Sequence, residues 1–155
     1  MRATAPVTDA LGMRERILQS AVELFAARGF HGTSVRDLAQ AVGIEAASLY
    51  YHFPSKQVLL HVLFDQIMNE LLDTLRLATL AGGPPPQRLP GVARAHVAFH
   101  IARRKETFVS RSELRSLLPA HRRLIVAKRD GYEHAVRELL AEGVALATFR
   151  LKTSP

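Results

Sequence analysis

Between Thr33 and Lys56 the chain reads TSVRDLAQAVGIEAASLYYHFPSK, and this stretch permits little besides two short helices with a sharp turn between them. Thr33 and Ser34 can cap the first helix, and Asp37 suits its positive N-terminal end. Val35, Leu38, Ala39 and Val42 recur at helical spacing and make one apolar face. Gly43 stands where that helix must stop, because glycine enters the left-handed conformation at little cost. Ile44 can then fill the angle, and Glu45 to Phe53 forms the second helix, with Leu49 and Phe53 one turn apart and facing inward. Pro54 closes it, since a residue before proline is pushed out of helical geometry. Ser55 opens the next helix.

The outward set of the second helix carries the functional signal. Ala46, Ala47 and Ser48 are small, so the backbone at the helix start can approach a groove floor. Tyr50 and Tyr51 offer hydroxyls to phosphate oxygens and rings to a thymine methyl or a sugar, and His52 flanks them. Lys56 adds a point charge suited to phosphate. This is the pattern of a helix-turn-helix that reads the major groove. The same spacing also fits an ordinary helical hairpin with two amphipathic tyrosines at its edge.

Elsewhere the pattern is helical throughout, which predicts an all-α fold. Leu11 to Arg28 carries Ile17, Ala21, Leu24 and Phe25 on one face and closes at Gly29. Ser55 to about Leu80 is a long leucine-rich helix joining head to body. The run Gly82-Gly83-Pro84-Pro85-Pro86 is a breaker. Further helices are expected from Leu89 or Gly91 to Arg104, from Phe108 to Leu118, and from Pro119 to about Ala147. The domain reading is a disordered tail over 1–10, a DNA-binding domain over 11–54 and a helical regulatory domain over 55–155.

Composition narrows the options. Among 155 residues there is no cysteine, which excludes disulfides and thiolate metal sites. The first eight residues hold one arginine and no apolar run, so they are not a signal peptide, and no stretch is long enough to span a bilayer; a cytoplasmic protein without membrane contact is expected. The net charge of +7 lies mostly outside the reading head: residues 1–56 hold six basic and five acidic residues, and residues 57–155 hold fifteen and nine. That excess reads as solvated helix faces, or as a body that attracts an anionic small molecule. His96 and His100 share a helix turn, but no third ligand is marked, so a polar face or a ligand hydrogen bond is expected rather than a metal. Ser110, Ser112 and Ser116 lack a nucleophile's context, and the carboxylates form no acid–base pair. No enzyme activity and no cofactor are expected.

Residues 14 to 64 resemble the DNA-binding domain of TetR-type transcriptional regulators. The resemblance is carried by Leu24-Phe25, Gly29-Phe30, Thr33 to Ala39, Gly43-Ile44, Leu49 to Phe53, Ser55-Lys56 and Leu59-Leu60. It implies that Ser34 and Arg36 approach DNA from the first helix, that Ala46, Ala47, Ser48, Tyr51 and His52 face the groove, and that Tyr50 and Lys56 meet phosphate. Glu45 and Ala47 depart from the family pattern, which often has Ser or Thr and Gly there; Glu45 is expected to point aside. Base discrimination then rests on Arg36, Tyr51 and His52.

Beyond Phe108 the chain is similar to a TetR subgroup linked to lipid and steroid breakdown, through Ser112 to Leu117 and Arg129-Asp130-Gly131-Tyr132-Glu133. Members often sense acyl-coenzyme A compounds. That implies an effector site for an apolar, acidic small molecule such as an acyl-CoA, with Phe64, Met68, Leu72, His96, His100, Arg104 and Phe108 as candidate lining residues. The family reading is a repressor, released by ligand, that binds a palindromic double-stranded operator as a homodimer. Family bodies end in two further helices that pair subunits; here the chain stops at Pro155, so those helices are expected to be missing. The alternative is a truncated or non-DNA-binding helical protein that binds ligand or serves as a scaffold.

Overall fold

The computed structural model describes residues 7–80 and 82–149, with side chains from residue 12 onward. Among the described residues the chain forms α1 (Val7–Arg28), α2 (Val35–Val42), α3 (Ala46–His52), α4 (Lys56–Leu80), α5 (Pro85–Ala102), α6 (Arg104–Ser112), a 3-10 turn (Leu114–Ser116) and α7 (Pro119–Ala145), and no strand. The all-α class read from the sequence is what forms. Two compact units emerge: one takes the residues up to Phe64 together with Lys105–Arg122, the other Asp65–Arg104 together with the residues from Arg123 onward. The division at Phe64/Asp65 falls within α4, and the first unit also takes α6 residues from Lys105 onward and the 3-10 turn from much later in the chain.

In the first unit, Ile17, Leu18, Ala21, Val22 and Phe25 of α1 are buried with Leu38, Ala39 and Val42 of α2, Leu49 of α3 and Leu59, Leu60, Leu63 and Phe64 of α4. Phe53, just past α3, is wholly buried as well. Each large side chain so buried contributes about 1.5–3 kcal/mol relative to exposure, which is what holds two short helices that would not persist alone. α1 starts at Val7 rather than Leu11, so residues 7–10 of the expected tail are helical, while residues 1–6 lie outside the described residues.

Capping decides the α2–α3 turn. Ser34 alone caps α2: its hydroxyl accepts from the Asp37 N–H at 3.1 Å, and the Asp37 carboxylate accepts from the Ser34 N–H at 2.7 Å. Thr33, the other expected cap, is buried instead and donates its hydroxyl to the Gly29 carbonyl at 2.9 Å. Gly43 takes the left-handed conformation (φ 79°, ψ 37°), and its N–H reaches the carbonyls of Ala39 and Gln40. α3 is shorter than the sequence pattern suggests. Glu45 and Phe53 are extended at its two ends, leaving seven helical residues.

The second unit centres on Leu75 of α4, Val92 of α5 and Leu139 of α7, with Ala78, Leu89, Tyr132 and Val136 packed around them. α5 starts at Pro85, four residues before Leu89, because proline needs no donor in a helix's first turn and supplies the right φ. α6 likewise begins at Arg104 instead of Phe108 and yields to the 3-10 turn before Leu118. α7 ends at Ala145, and Phe149 then folds back against Gly143, where any Cβ would stand 2.0 Å from the Phe149 ring. Arg103 pairs with Glu70 at 2.8 Å, and Lys128 with Asp65 and Asn69; such partly exposed pairs are worth about 1 kcal/mol or less each.

Candidate nucleic-acid interface

Because Leu49 and Phe53 turn inward, the opposite side of α3 is left to Ala47, Ser48 and Tyr51, all exposed. Tyr51 is 84% exposed and Tyr50, at the flank, 49%. Two aromatic rings standing in water are unusual unless something covers them, since each withholds a large apolar area from burial. Ala46 and His52 are half-buried at the edges of this face, and the His52 ring meets the Tyr51 ring edge-on at 5.4 Å. On α2, Ser34 and Arg36 are exposed. The result is a short rod with a small-residue start, two tyrosines beyond it and a guanidinium on the preceding helix. Such a surface can enter a groove, meet base edges and reach phosphates on the rims.

Lys56, read from the sequence as a phosphate contact, is engaged within the first unit. Its ammonium donates to the carbonyls of Phe30 and Thr33, both at 2.7 Å, and lies 4.1 Å from the centre of the Phe30 ring. Burial lowers its pKa, with Asp37 and Glu113 opposing the shift. The charge read as a phosphate contact thus ties the α1–α2 loop to the start of α4.

Two cations the sequence pattern did not single out hold the motif from behind. Arg14 donates to the His52 carbonyl at 2.7 Å and sits 4.2 Å from the centre of the Phe53 ring. Arg16 donates to the Val42 carbonyl at 3.0 Å. A signal for the first existed in Pro54, which has no N–H to offer the last turn of α3. The partner 38 residues upstream left no local trace.

The seven candidate ligand residues are assigned to both units. Phe64 is in the core of the first unit, and Phe108, also of that unit, is 55% exposed. The other five belong to the second unit: Met68 is buried, Leu72 half-buried and Arg104 exposed. His96 and His100 do come together, with ring centres 4.4 Å apart, and His96 Nδ1 hydrogen-bonds the Tyr132 hydroxyl at 2.7 Å. Burial, then the neighbouring His96, holds the His100 pKa below the ordinary histidine value. Tyr132 was not among the candidate residues; it lies two helices away from His96 in sequence. The second unit also holds an open cleft of about 500 Å³, lined by Thr79, Arg88, Leu139 and Glu142 among others. Among the described residues, no group of three or more His, Asp or Glu could hold a metal, and no helix is long and apolar enough to cross a membrane.

The fold and the exposed face define a helix-turn-helix protein with a helical companion unit, and comparison with known proteins agrees. Residues 17–63 match the family model for bacterial regulatory proteins of the tetR family, and residues 82–154 match the tetracyclin repressor-like C-terminal domain. The TetR-family transcriptional regulator PfmR of Thermus thermophilus is 33% identical, with a TM-score of 0.82 over 89% of this chain and 75% of that one. The transcriptional repressor KstR2 of Mycolicibacterium smegmatis is 28% identical over 138 residues, 88% of this chain and 67% of the relative. The ketosteroid regulator KstR2 of Mycobacterium tuberculosis is 26% identical, with a TM-score of 0.82 over 91% of this chain and 72% of that one. The chain belongs to the TetR family, a family of DNA-binding regulators rather than enzymes.

Proposed function

We propose that this chain is a cytoplasmic transcriptional repressor whose α3 enters the major groove of a palindromic operator, with two copies acting together. The observation that carries the reading is the exposed face of Ala47, Ser48 and Tyr51, flanked by Tyr50 and by Arg36 on α2. Arg36, Tyr51 and His52 supply base discrimination, and Ser34 and Tyr50 meet phosphate; Ala46 and Ala47 let the backbone come close. Binding should weaken steeply with salt, as phosphate contacts release counterions. Electrophoretic retardation of a site selected from random oligonucleotides tests this. An Arg36/Tyr50/Tyr51 triple alanine variant that stays folded should lose the retarded band, and a variant that retains it would refute the assignment.

The released state is assigned to an apolar, acidic effector such as an acyl-CoA. Support comes from the KstR2 relatives, one of them named for ketosteroid regulation, and from the basic excess of residues 57–155. The contact between His96, His100 and Tyr132 supplies polar groups in the second unit. A ligand that binds the folded form raises the melting temperature by mass action. Acyl-CoAs of increasing chain length should therefore raise it progressively, and a flat response across the series would reject this effector class.

A further inference from the structure

We infer that Arg14 is the positioning residue that sets the recognition helix for base reading, acting through the α3 C-terminus without touching DNA. This rests on the DNA-reading role of α3. A seven-residue helix leaves its last carbonyls without intrahelical donors, and they must be met from outside. α2 solves the problem locally: the left-handed Gly43 turns its N–H back onto Ala39 and Gln40. α3 cannot do the same. Phe53 is extended, so its N–H satisfies Leu49 alone, and the next residue, Pro54, has no N–H.

Arg14 supplies the missing donor. Its Nη1 reaches the His52 carbonyl, and the rest of the guanidinium covers the Phe53 ring. One side chain of α1 therefore fixes both the last carbonyl of α3 and the aromatic anchor that follows. A cation at a helix C-terminus also opposes the macrodipole. Leu49 is the one side chain buried within α3 itself, so roll and tilt of the rod are set largely by Leu49, the Phe53 anchor and the Arg14 contact. Ala47, Ser48 and Tyr51 on its exposed face are not packed in the core, and a change in roll moves Tyr51 and Ser48 relative to base edges. A guanidinium is suited to this task because its planar fork can lie flat against a ring while it donates in plane, an oriented contact that a rounded ammonium does not make.

The test uses the full chain and a site that it selects from random oligonucleotides, with fluorescence anisotropy on that site and on a scrambled one. Arg14→Gln should lower affinity for the selected site by about tenfold or more while barely changing affinity for the scrambled site. The salt slope should stay at the wild-type value, and helix content by circular dichroism should be retained. Arg14→Lys keeps a donor but not the stacked fork, so its specificity ratio should fall between the two. Equal loss on both sequences with a salt slope smaller by about one would make Arg14 a phosphate contact and overturn the inference. An unchanged ratio would overturn it as well. Should Arg14→Gln fail to fold, Arg14→Lys decides: an intermediate ratio supports the inference and a wild-type ratio defeats it. Failure of the underlying DNA-reading role is distinguishable, because the wild-type chain would then select no site at all.

Discussion

Arg36 stands exposed on α2 beside the reading face, and its fate discriminates base contact from phosphate contact. Replacing it by alanine should cost about 1–3 kcal/mol on the selected site and relax preference at one position. Equal loss on every sequence would reassign it to phosphate. Asp37 gives a second residue-level outcome. Hydrogen bonds from the Ser34 hydroxyl and N–H hold its pKa below the ordinary aspartate value of 3.8, so the folded state binds a proton less readily than the unfolded one. Its contribution is complete above that value and is lost as pH falls through the folded pKa. Thermal midpoints measured between neutral and strongly acidic pH should fall less steeply for Asp37→Asn than for wild type; parallel curves would show that the cap does not couple to folding. The Ser34–Asp37 cap was legible because both partners lie within one turn. Lys56 was not, since the carbonyls it binds belong to residues 23 and 26 positions earlier, and no local rule connects them.

At the level of elements, the turn between α2 and α3 depends on Gly43 for its backbone and not for space, since a Cβ there would meet nothing within 4 Å. Gly43→Ala should therefore destabilise the first unit by about 1 kcal/mol through left-handed strain alone, and Gly43→Asn by less. Denaturant midpoints compared at constant m-value check the order; an alanine variant as stable as wild type would mean that the turn can rearrange. Helix types were readable throughout because apolar residues recur at a helical period. Their ends were less so. α5 starts four residues early because prolines that look like breakers are tolerated in a first turn. α3 loses a residue at each end because Glu45 and Phe53 are drawn into extended caps.

Across the whole molecule the described surface retains many large apolar side chains. On α5, Val97 is 55% exposed and Ile101 66%, and they line a shallow apolar groove with Ala93, Arg94 and Ala98. Leu140 and Val144 on α7 and Leu77 and Leu80 on α4 are exposed too. Uncovered apolar area of this kind drives association. Sedimentation velocity on the 155-residue chain should show self-association that a Val97→Lys/Ile101→Lys variant reduces. A monodisperse monomer at micromolar concentration would show that this face is tolerated in water. Two linked heads on a palindrome gain an effective-concentration advantage of about 10²–10⁴, so the same measurement bears on how tightly an operator can be held.

Local chemistry dictated the helical class, the turn at Gly43, the cap at Ser34 and which face of α3 is exposed, because each follows from contacts within a few residues along the chain. Longer-range packing chose the rest. It set Lys56 on carbonyls of the α1–α2 loop, brought Tyr132 to the histidine pair, and set Arg14 on the end of α3. These outcomes depend on which distant carbonyl, ring or charge arrives beside a side chain once the core closes, and that information resides in three-dimensional contact rather than in spacing along the chain.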